Sequence, residues 1–72
     1  MNVLASVPGE HIARAAAELP DAASAANDLH YVEIKLPPPD GRRILLTFRR
    51  FKRKHRKSTK WFWTAQEAEV IG

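Results

Sequence analysis

The chain has 72 residues, no cysteine, and a net charge of +4 from twelve Lys and Arg residues against eight Asp and Glu residues. A chain of this length is expected to form one small domain with a core of marginal size, and the absence of cysteine excludes disulfides and thiolate metal sites. No stretch is apolar enough to span a bilayer, and the first residues lack the pattern of a secretory signal, so the sequence predicts a cytoplasmic protein with no membrane partner.

Two short helices are predicted at the start of the chain. The first is expected from Pro8 to Leu19, where apolar residues recur with the spacing of one helical face, and Ser6 is a candidate N-cap. Pro20 ends this helix, because proline cannot continue the hydrogen-bonding pattern. The same apolar spacing then repeats over residues 21–29, which predicts a second short helix.

A hairpin of two strands follows. Apolar and polar residues alternate over residues 30–36 and again over residues 44–49, as expected for strands that are each buried on one side. The segment Pro37–Gly41 between them favours a turn, since proline lacks an amide donor and Asp-Gly suits tight turns.

The alternation slips at Arg49-Arg50. A β-bulge at this point would return Phe51 to the face that carries Phe48, whereas an unbulged strand leaves Phe51 exposed beside Arg49. The residues alone leave both arrangements open.

The last third of the chain is predicted as a mobile turn, a third strand and a terminal helix. Residues 52–57 carry five fixed positive charges whose mutual repulsion favours a mobile turn. Residues 59–64 are β-branched and aromatic, which favours a strand. Thr64 and Glu67 have the spacing of a capping box and predict a short helix over residues 65–71.

The predicted fold is therefore α+β, with two short N-terminal helices packed on one face of a three-stranded antiparallel β-meander and a short C-terminal helical turn. In this prediction the single domain, residues 1–72, consists of a helical part (1–29), a basic antiparallel sheet (30–64) and a C-terminal turn (65–72).

The strongest functional signal is the segment from Arg42 to Lys60, which holds ten of the twelve Lys and Arg residues and no acidic residue. Positive charge interleaved with aromatic rings is typical of surfaces that bind nucleic acid, because cations contact phosphates and rings stack on bases. Two other interpretations are a solvated hairpin that keeps the protein soluble and a nuclear-import signal in residues 52–57. The predicted nucleic-acid-binding residues are Arg42, Arg43, Arg49, Arg50, Phe51, Lys52, Arg53, Lys54, His55, Arg56, Lys57, Lys60, Trp61 and Trp63.

Three consecutive aromatic residues on the third strand, Trp61, Phe62 and Trp63, must divide between its two faces. Either both tryptophans lie on the cationic face and stack on bases, or they face inward and leave Phe62 outside. The core is short of large side chains, so the sequence favours at least one tryptophan in the core.

The sequence predicts no enzyme, cofactor or metal site. The three histidines, His11, His30 and His55, are isolated from other metal-ligating residues, and no glycine-rich phosphate loop or paired carboxylates accompany the basic segment. Glu33 is expected to be an ion-pair partner for Lys35 or for an arginine of the second strand.

The leading functional hypothesis is a small non-enzymatic protein that uses a basic, aromatic-containing β-hairpin to contact the phosphate backbone and bases of DNA or RNA. The alternative is an adaptor or inhibitor, of the kind carried by phages and mobile elements, that docks the hairpin on an acidic protein or ribonucleoprotein. Arginine and tryptophan are common interface hot spots, so the same residues serve both hypotheses. The free strand edges also leave a homodimer open.

Overall fold

A three-stranded antiparallel sheet in the order β1-β2-β3 is the frame of the computed structural model, which describes residues 1–72. The molecule is elongated and measures 48 × 21 × 20 Å. Its elements are a 3₁₀ helix (Leu4–Ser6), helix α1 (Gly9–Ala16) and strands β1 (Leu29–Lys35), β2 (Arg43–His55) and β3 (Ser58–Val70). Neither helix has the length and apolar character needed to span a bilayer.

One face of the sheet, here called the inner face, carries the hydrophobic core. Ile44, Leu46 and Phe48 of β2 are at most 1% exposed and pack with Ala15 of α1. Each of these β2 residues has a neighbour on β1 that lies opposite it in register, such as Val32 opposite Leu46. The alternation predicted for the first two strands is confirmed, because the period of two places every second side chain on the covered face.

The opposite face of the sheet, here called the outer face, is not covered by any helix. Tyr31 of β1 lies on it and is 59% exposed. Arg49 of β2 also lies on this face, opposite Leu29 on β1 and Thr64 on β3. Side chains of the outer face are therefore available for contacts with other molecules.

The single β-bulge lies in β3, at Gln66. Phe48 pairs with Ala65 while Thr47 pairs with Glu67, so that Gln66 has no partner on β2. The extra residue resets the alternation, and apolar residues on both sides of the bulge thereby reach the inner face. No bulge occurs at Arg49-Arg50, and of the two arrangements left open the structure has the unbulged one.

The prediction of a second N-terminal helix is wrong. Residues 21–28 form turns, and β1 begins directly afterwards at Leu29. A helix of this length is too short to be stable without tertiary contacts. The carbonyls of Ala22 and Ala25 instead accept hydrogen bonds from Arg50 Nη1 at 3.2 and 2.8 Å. Leu29, the last residue of the predicted second helix, lies on the outer face of the sheet.

The first helix is confirmed but shorter than predicted. It occupies Gly9–Ala16, and Pro8 rather than Ser6 stands at its N-cap position. The Ser6 hydroxyl donates to the carbonyl of Val3 at 2.8 Å. The helical part of the predicted domain organisation is thus reduced to one α-helix and one 3₁₀ turn.

The predicted C-terminal helix is also wrong, because β3 continues through it to Val70. Ala68 pairs with Leu46 and is fully buried in the core. The N-terminal segment covers the edge of β3 here: the amide of Val3 donates to the Ala68 carbonyl at 2.8 Å, and the Ala68 amide donates to Asn2 Oδ1 at 3.0 Å. Pairing on both sides therefore replaces the local capping signal of Thr64 and Glu67.

Beyond the body of the protein, β2 and β3 continue as a two-stranded extension. β1 stops pairing at Leu29, opposite Arg49, so residues 51–62 have no third strand beside them. We call residues 51–62 the ribbon; its strands are joined by the two-residue turn Arg56-Lys57. Lys52–His55 belong to β2 and not to the mobile turn that charge repulsion suggested. Five residues per strand give the ribbon a reach of about 17 Å.

Candidate nucleic-acid interface

The structure separates the predicted site residues into three groups. Arg42 and Arg43 lie at the start of β2, and the turn of the ribbon lies at the other end of this 13-residue strand. Eight residue steps separate Arg43 from Phe51, where the ribbon begins, so these two arginines lie at least about 27 Å from it. Arg50 and Trp63 pair with each other at the base of the ribbon. The remaining predicted residues are Arg49 beside the base, and Phe51, Lys52, Arg53, Lys54, His55, Arg56, Lys57, Lys60 and Trp61 on the ribbon.

The two remote arginines are each engaged by a carboxylate. Arg42 donates from Nε to Asp40 Oδ1 at 2.7 Å and from Nη2 to Oδ2 at 3.0 Å. This two-point hydrogen bond lowers the pKa of Asp40 and raises the pKa of Arg42. Arg43 Nη1 lies 3.4 Å from Glu33 Oε1, the kind of pair that the sequence predicts for Glu33.

Arg50 is directed into the protein. Besides its two bonds to the carbonyls of residues 22 and 25, its Nε and Nη2 donate to Asp28 Oδ1 at 3.1 and 2.8 Å. The Arg50 side chain is only 16% exposed, and its amide donates to the Asp28 carbonyl at 2.7 Å. One guanidinium therefore fixes the irregular segment before β1 against β2.

Both tryptophans face inward, which is the arrangement that leaves Phe62 outside. The Trp63 ring packs on the core, meets the His30 ring edge-on at 5.3 Å, and donates from Nε1 to the Pro20 carbonyl at 2.8 Å. Trp61 lies one step further along the ribbon, with the guanidinium carbon of Arg50 4.6 Å from its ring centre. Lys52 Nζ is 5.6 Å from the same ring, so Trp61 links the base of the ribbon to its charged part.

Arg49 and the cations of the ribbon have a different environment from Arg42, Arg43 and Arg50. None of them forms an ion pair, and no acidic residue occurs between Asp40 and Glu67. The strand alternation places them on both faces of the ribbon, and two lie in the turn. A protruding element that is positive on all sides is suited to a polyanion. These unpaired cations are Arg49, Lys52, Arg53, Lys54, Arg56, Lys57 and Lys60.

An aromatic pair stands on the outer face of the ribbon. Phe51 and Phe62 lie opposite each other in register, with ring centres 6.1 Å apart and an angle of 25° between the rings. Each residue is 38% exposed. Phe62 was absent from the predicted binding residues, and its exposure follows from the inward position of its two tryptophan neighbours.

The turn of the ribbon places a non-glycine residue in the left-handed region. Arg56 has φ = 56°. A positive φ at the first position of a two-residue hairpin turn favours glycine, because the side chain crowds the backbone there. The turn thus keeps a cation at its tip at the expense of backbone strain.

Two open clefts lie in the body and none in the ribbon. One of about 220 Å³ lies between α1 and β1 and includes Arg14, Glu18 and Glu33; the other, of about 260 Å³, is lined by the prolines of the turn before β2. No group of His, Asp and Glu side chains is arranged to hold a metal ion.

Comparison with protein-family models, curated proteins and solved structures finds no match to this chain.

Proposed function

We propose that this protein binds nucleic acid through its ribbon and does so without catalysing a reaction. The observation that supports this proposal is the set of seven unpaired cations on and beside an element that projects from the body. Each phosphate that a Lys or Arg neutralises releases a condensed counterion, which favours binding of any polyanion with closely spaced phosphates. We also propose the cytoplasm as its location.

The proposed surface is smaller than the charged segment of the sequence. Arg42 and Arg43 are omitted because each already contacts a carboxylate at the far end of β2. Arg50 is omitted because its donors are directed to Asp28 and to backbone carbonyls. The cations that remain are those with no acceptor inside the protein.

The ribbon also has the shape that nucleic acids accept. Two paired strands lie about 4.8 Å apart, and a two-stranded ribbon enters the major groove of duplex DNA, which is about 12 Å wide. Side chains on both faces of such a ribbon contact phosphates on either side of a groove or along a flexible strand. Phosphate contacts supply most of the affinity in this proposal.

A pair of matched double variants tests the proposal. Arg53→Gln with Lys54→Gln removes two charges from the ribbon, one on each face, while Arg14→Gln with Lys35→Gln removes two exposed charges from the body. Binding to labelled DNA and RNA is measured by fluorescence anisotropy over a range of salt concentrations. We expect the ribbon variant to bind about tenfold more weakly at 0.1 M salt and to reduce the log–log salt slope by about 1.8, at 0.9 per lost phosphate contact.

The body variant is expected to stay within about twofold of the wild-type affinity, because long-range charge effects are screened beyond about 10 Å at 0.1 M salt. Equal losses in both variants would show that net charge alone governs binding and would contradict the proposed surface. No binding to DNA or RNA at low salt would reject nucleic acid and favour an acidic protein as the partner.

A further inference from the structure

We infer that the outer face of the ribbon binds unpaired bases, so that the preferred ligand is single-stranded nucleic acid or a single-stranded region within a larger one. This inference rests on the proposed function and adds to it the class of nucleic acid. The observation that carries it is the exposed Phe51–Phe62 pair with cations on either side along the strands.

No other element of the fold packs over the rings of Phe51 and Phe62. β1 ends before it reaches them, and α1 lies on the inner face. Phe48, three residues before Phe51 on the same strand, lies on the inner face and is 1% exposed. The exposed pair therefore lies outside the part of the molecule that the core stabilises.

The pair also stabilises the ribbon itself. A two-stranded ribbon is only marginally stable in water, and aromatic residues opposite each other strengthen the pairing of two strands. This structural role does not require exposed ring faces, and apolar aliphatic residues at the same positions would keep a cross-strand contact. The two roles are separable by substitution, which the test below uses.

Cations and rings alternate along the outer face. On β2 the outward residues are Arg49, Phe51 and Arg53, each separated by two residues or about 6.8 Å, and on β3 Lys60 precedes Phe62 on the same face. A flexible strand lying along this face presents phosphates to the cations and bases to the rings. Such a combination of a positive track with aromatic platforms is the means by which single strands are bound without sequence preference.

A base-paired duplex makes no use of the rings. Its bases are stacked on one another, and only their edges face the grooves, so that an aromatic side chain meets a base face only after unstacking. Unpaired bases offer their faces directly. The outer face therefore adds affinity for single strands beyond the phosphate contacts that both ligands share.

The body limits the length of this track. Glu67 lies on the outer face at the level of Thr47, and Glu33 and Glu69 lie further from the ribbon, at the level of Leu45. These acids repel phosphates. Tyr31, an exposed aromatic residue of the outer face, lies beside Thr47 at the same level as Glu67. The track from Arg53 to the level of Thr47 covers about 20 Å, which is the length of a short single-stranded segment.

The test compares two double variants on two ligands. Phe51→Leu with Phe62→Leu keeps an apolar cross-strand contact but removes the π-faces, and Phe51→Tyr with Phe62→Tyr keeps them. Each variant is titrated by anisotropy with a labelled homopyrimidine single strand and with a hairpin duplex that has the same number of phosphates, in DNA and in RNA form. Thermal unfolding followed by circular dichroism checks that each variant is folded.

We expect the leucine variant to bind the single strand about ten- to a hundredfold more weakly, and the tyrosine variant to stay within about threefold of wild type. Duplex affinity is expected to stay within about twofold in both variants. A loss of equal size on both ligands, or no loss on either, would overturn the inference while the proposed function stood. Failure of the wild type to bind either ligand would instead remove the proposed function.

A measurement on the wild-type protein covers the case in which the leucine variant fails to fold. Bases that stack on a ring shift its proton resonances upfield in NMR spectra. We expect upfield shifts for the ring protons of Phe51 and Phe62 on saturation with the single strand and none of comparable size with the duplex. Unshifted ring resonances in the saturated single-strand complex would also overturn the inference.

Discussion

The arginines at the two ends of β2 differ in what surrounds them. At the body end, Arg42 and Arg43 each contact a carboxylate, and Arg50 at the base of the ribbon contacts Asp28. Arg53 and the cations around it, at the other end, have no acidic neighbour to pair with. Within the charged segment, the three arginines nearest the body are thus paired inside the fold, whereas the cations of the ribbon have no acidic partner there.

The same contrast holds for aromatic residues. Phe48 and Trp63 pack in or against the core, and the Trp63 indole N–H has a carbonyl acceptor. Phe51 and Phe62 contact each other across the ribbon and are otherwise open to solvent. In one small chain, neighbouring residues of the same type therefore serve folding in the body and are available for binding on the ribbon. Matched substitutions in the two regions test this division.

The largest expected effect is on stability, from the same substitution made in each region. Phe48→Ala empties a fully buried site, and we expect it to lower the free energy of unfolding by about 3–5 kcal/mol. A domain of 72 residues has a total stability of roughly 4–11 kcal/mol, so this variant is expected to be largely unfolded on mild heating. Phe62→Ala is expected to cost only about 1 kcal/mol, the contribution of an exposed aromatic pair.

Urea unfolding of both variants, followed by circular dichroism, measures the difference. Similar losses for the two substitutions would mean that the ribbon is part of the cooperative core, and the proposed separation of roles would be wrong. A large difference would mean that the ribbon is locally less stable than the body of the protein.

The next effect compares two adjacent residues with opposite orientations. Arg50→Ala leaves the carbonyls of residues 22 and 25 and the Asp28 carboxylate without their donor, and we expect a loss of about 2–3 kcal/mol. Arg49→Ala removes an exposed cation with no ion pair and is expected to change stability by no more than about 0.5 kcal/mol. The expected effects on nucleic-acid binding are reversed: Arg49→Ala lowers the salt slope by about 0.9, and Arg50→Ala leaves it unchanged while the protein is folded.

Chemical unfolding measures the stability of the two variants, and salt-dependent anisotropy measures their nucleic-acid binding. Arg50→Lys serves as a further control, because it keeps the charge but lacks the planar fork that reaches the carbonyls and Asp28 together. Full stability in the lysine variant would show that charge, and not the hydrogen-bond geometry, explains the role of Arg50.

Local sequence patterns predicted the correct element only where no contact with a distant part of the chain overrode them. β1 and the first part of β2 were predicted because apolar and polar residues alternate along both strands. The apolar ones that face the core are Val32, Ile34, Ile44, Leu46 and Phe48. In β3 the bulge at Gln66 breaks this period, so the second half of the strand no longer reads as a continuation of the first. A capping-box pattern then favoured a helix that pairing with β2 does not allow.

Which cations are paired and which are unpaired could not be predicted from the sequence, for a similar reason. Arg50 finds its partners 22 to 28 positions earlier in the chain, and those contacts also hold the segment that was expected to be a helix. Only the Arg42–Asp40 pair is close in sequence. Because the acidic partners lie far away in the sequence, the charged segment looks like one uniform basic surface. The fold divides it into cations that are paired with an acid and cations that are not.

The smallest expected effect concerns the Arg42–Asp40 pair and depends on pH. Hydrogen bonding from Arg42 lowers the native pKa of Asp40 below its ordinary value of 3.8. Because the native pKa is below the unfolded one, the pair stabilises the protein fully above the ordinary value, and this contribution disappears as the pH falls through the native pKa. An NMR titration of the Asp40 carboxyl should therefore give a midpoint below 3.8, and Arg42→Gln should return it towards the ordinary value. The same substitution should leave nucleic-acid affinity within about twofold at 0.1 M salt, since Arg42 lies about 24 Å along the chain from Arg49, the nearest proposed binding cation, and charges further apart than about 10 Å are screened. A marked loss of affinity would show that the body end of β2 also binds the ligand, and the division between paired and unpaired cations would then fail to predict the binding surface.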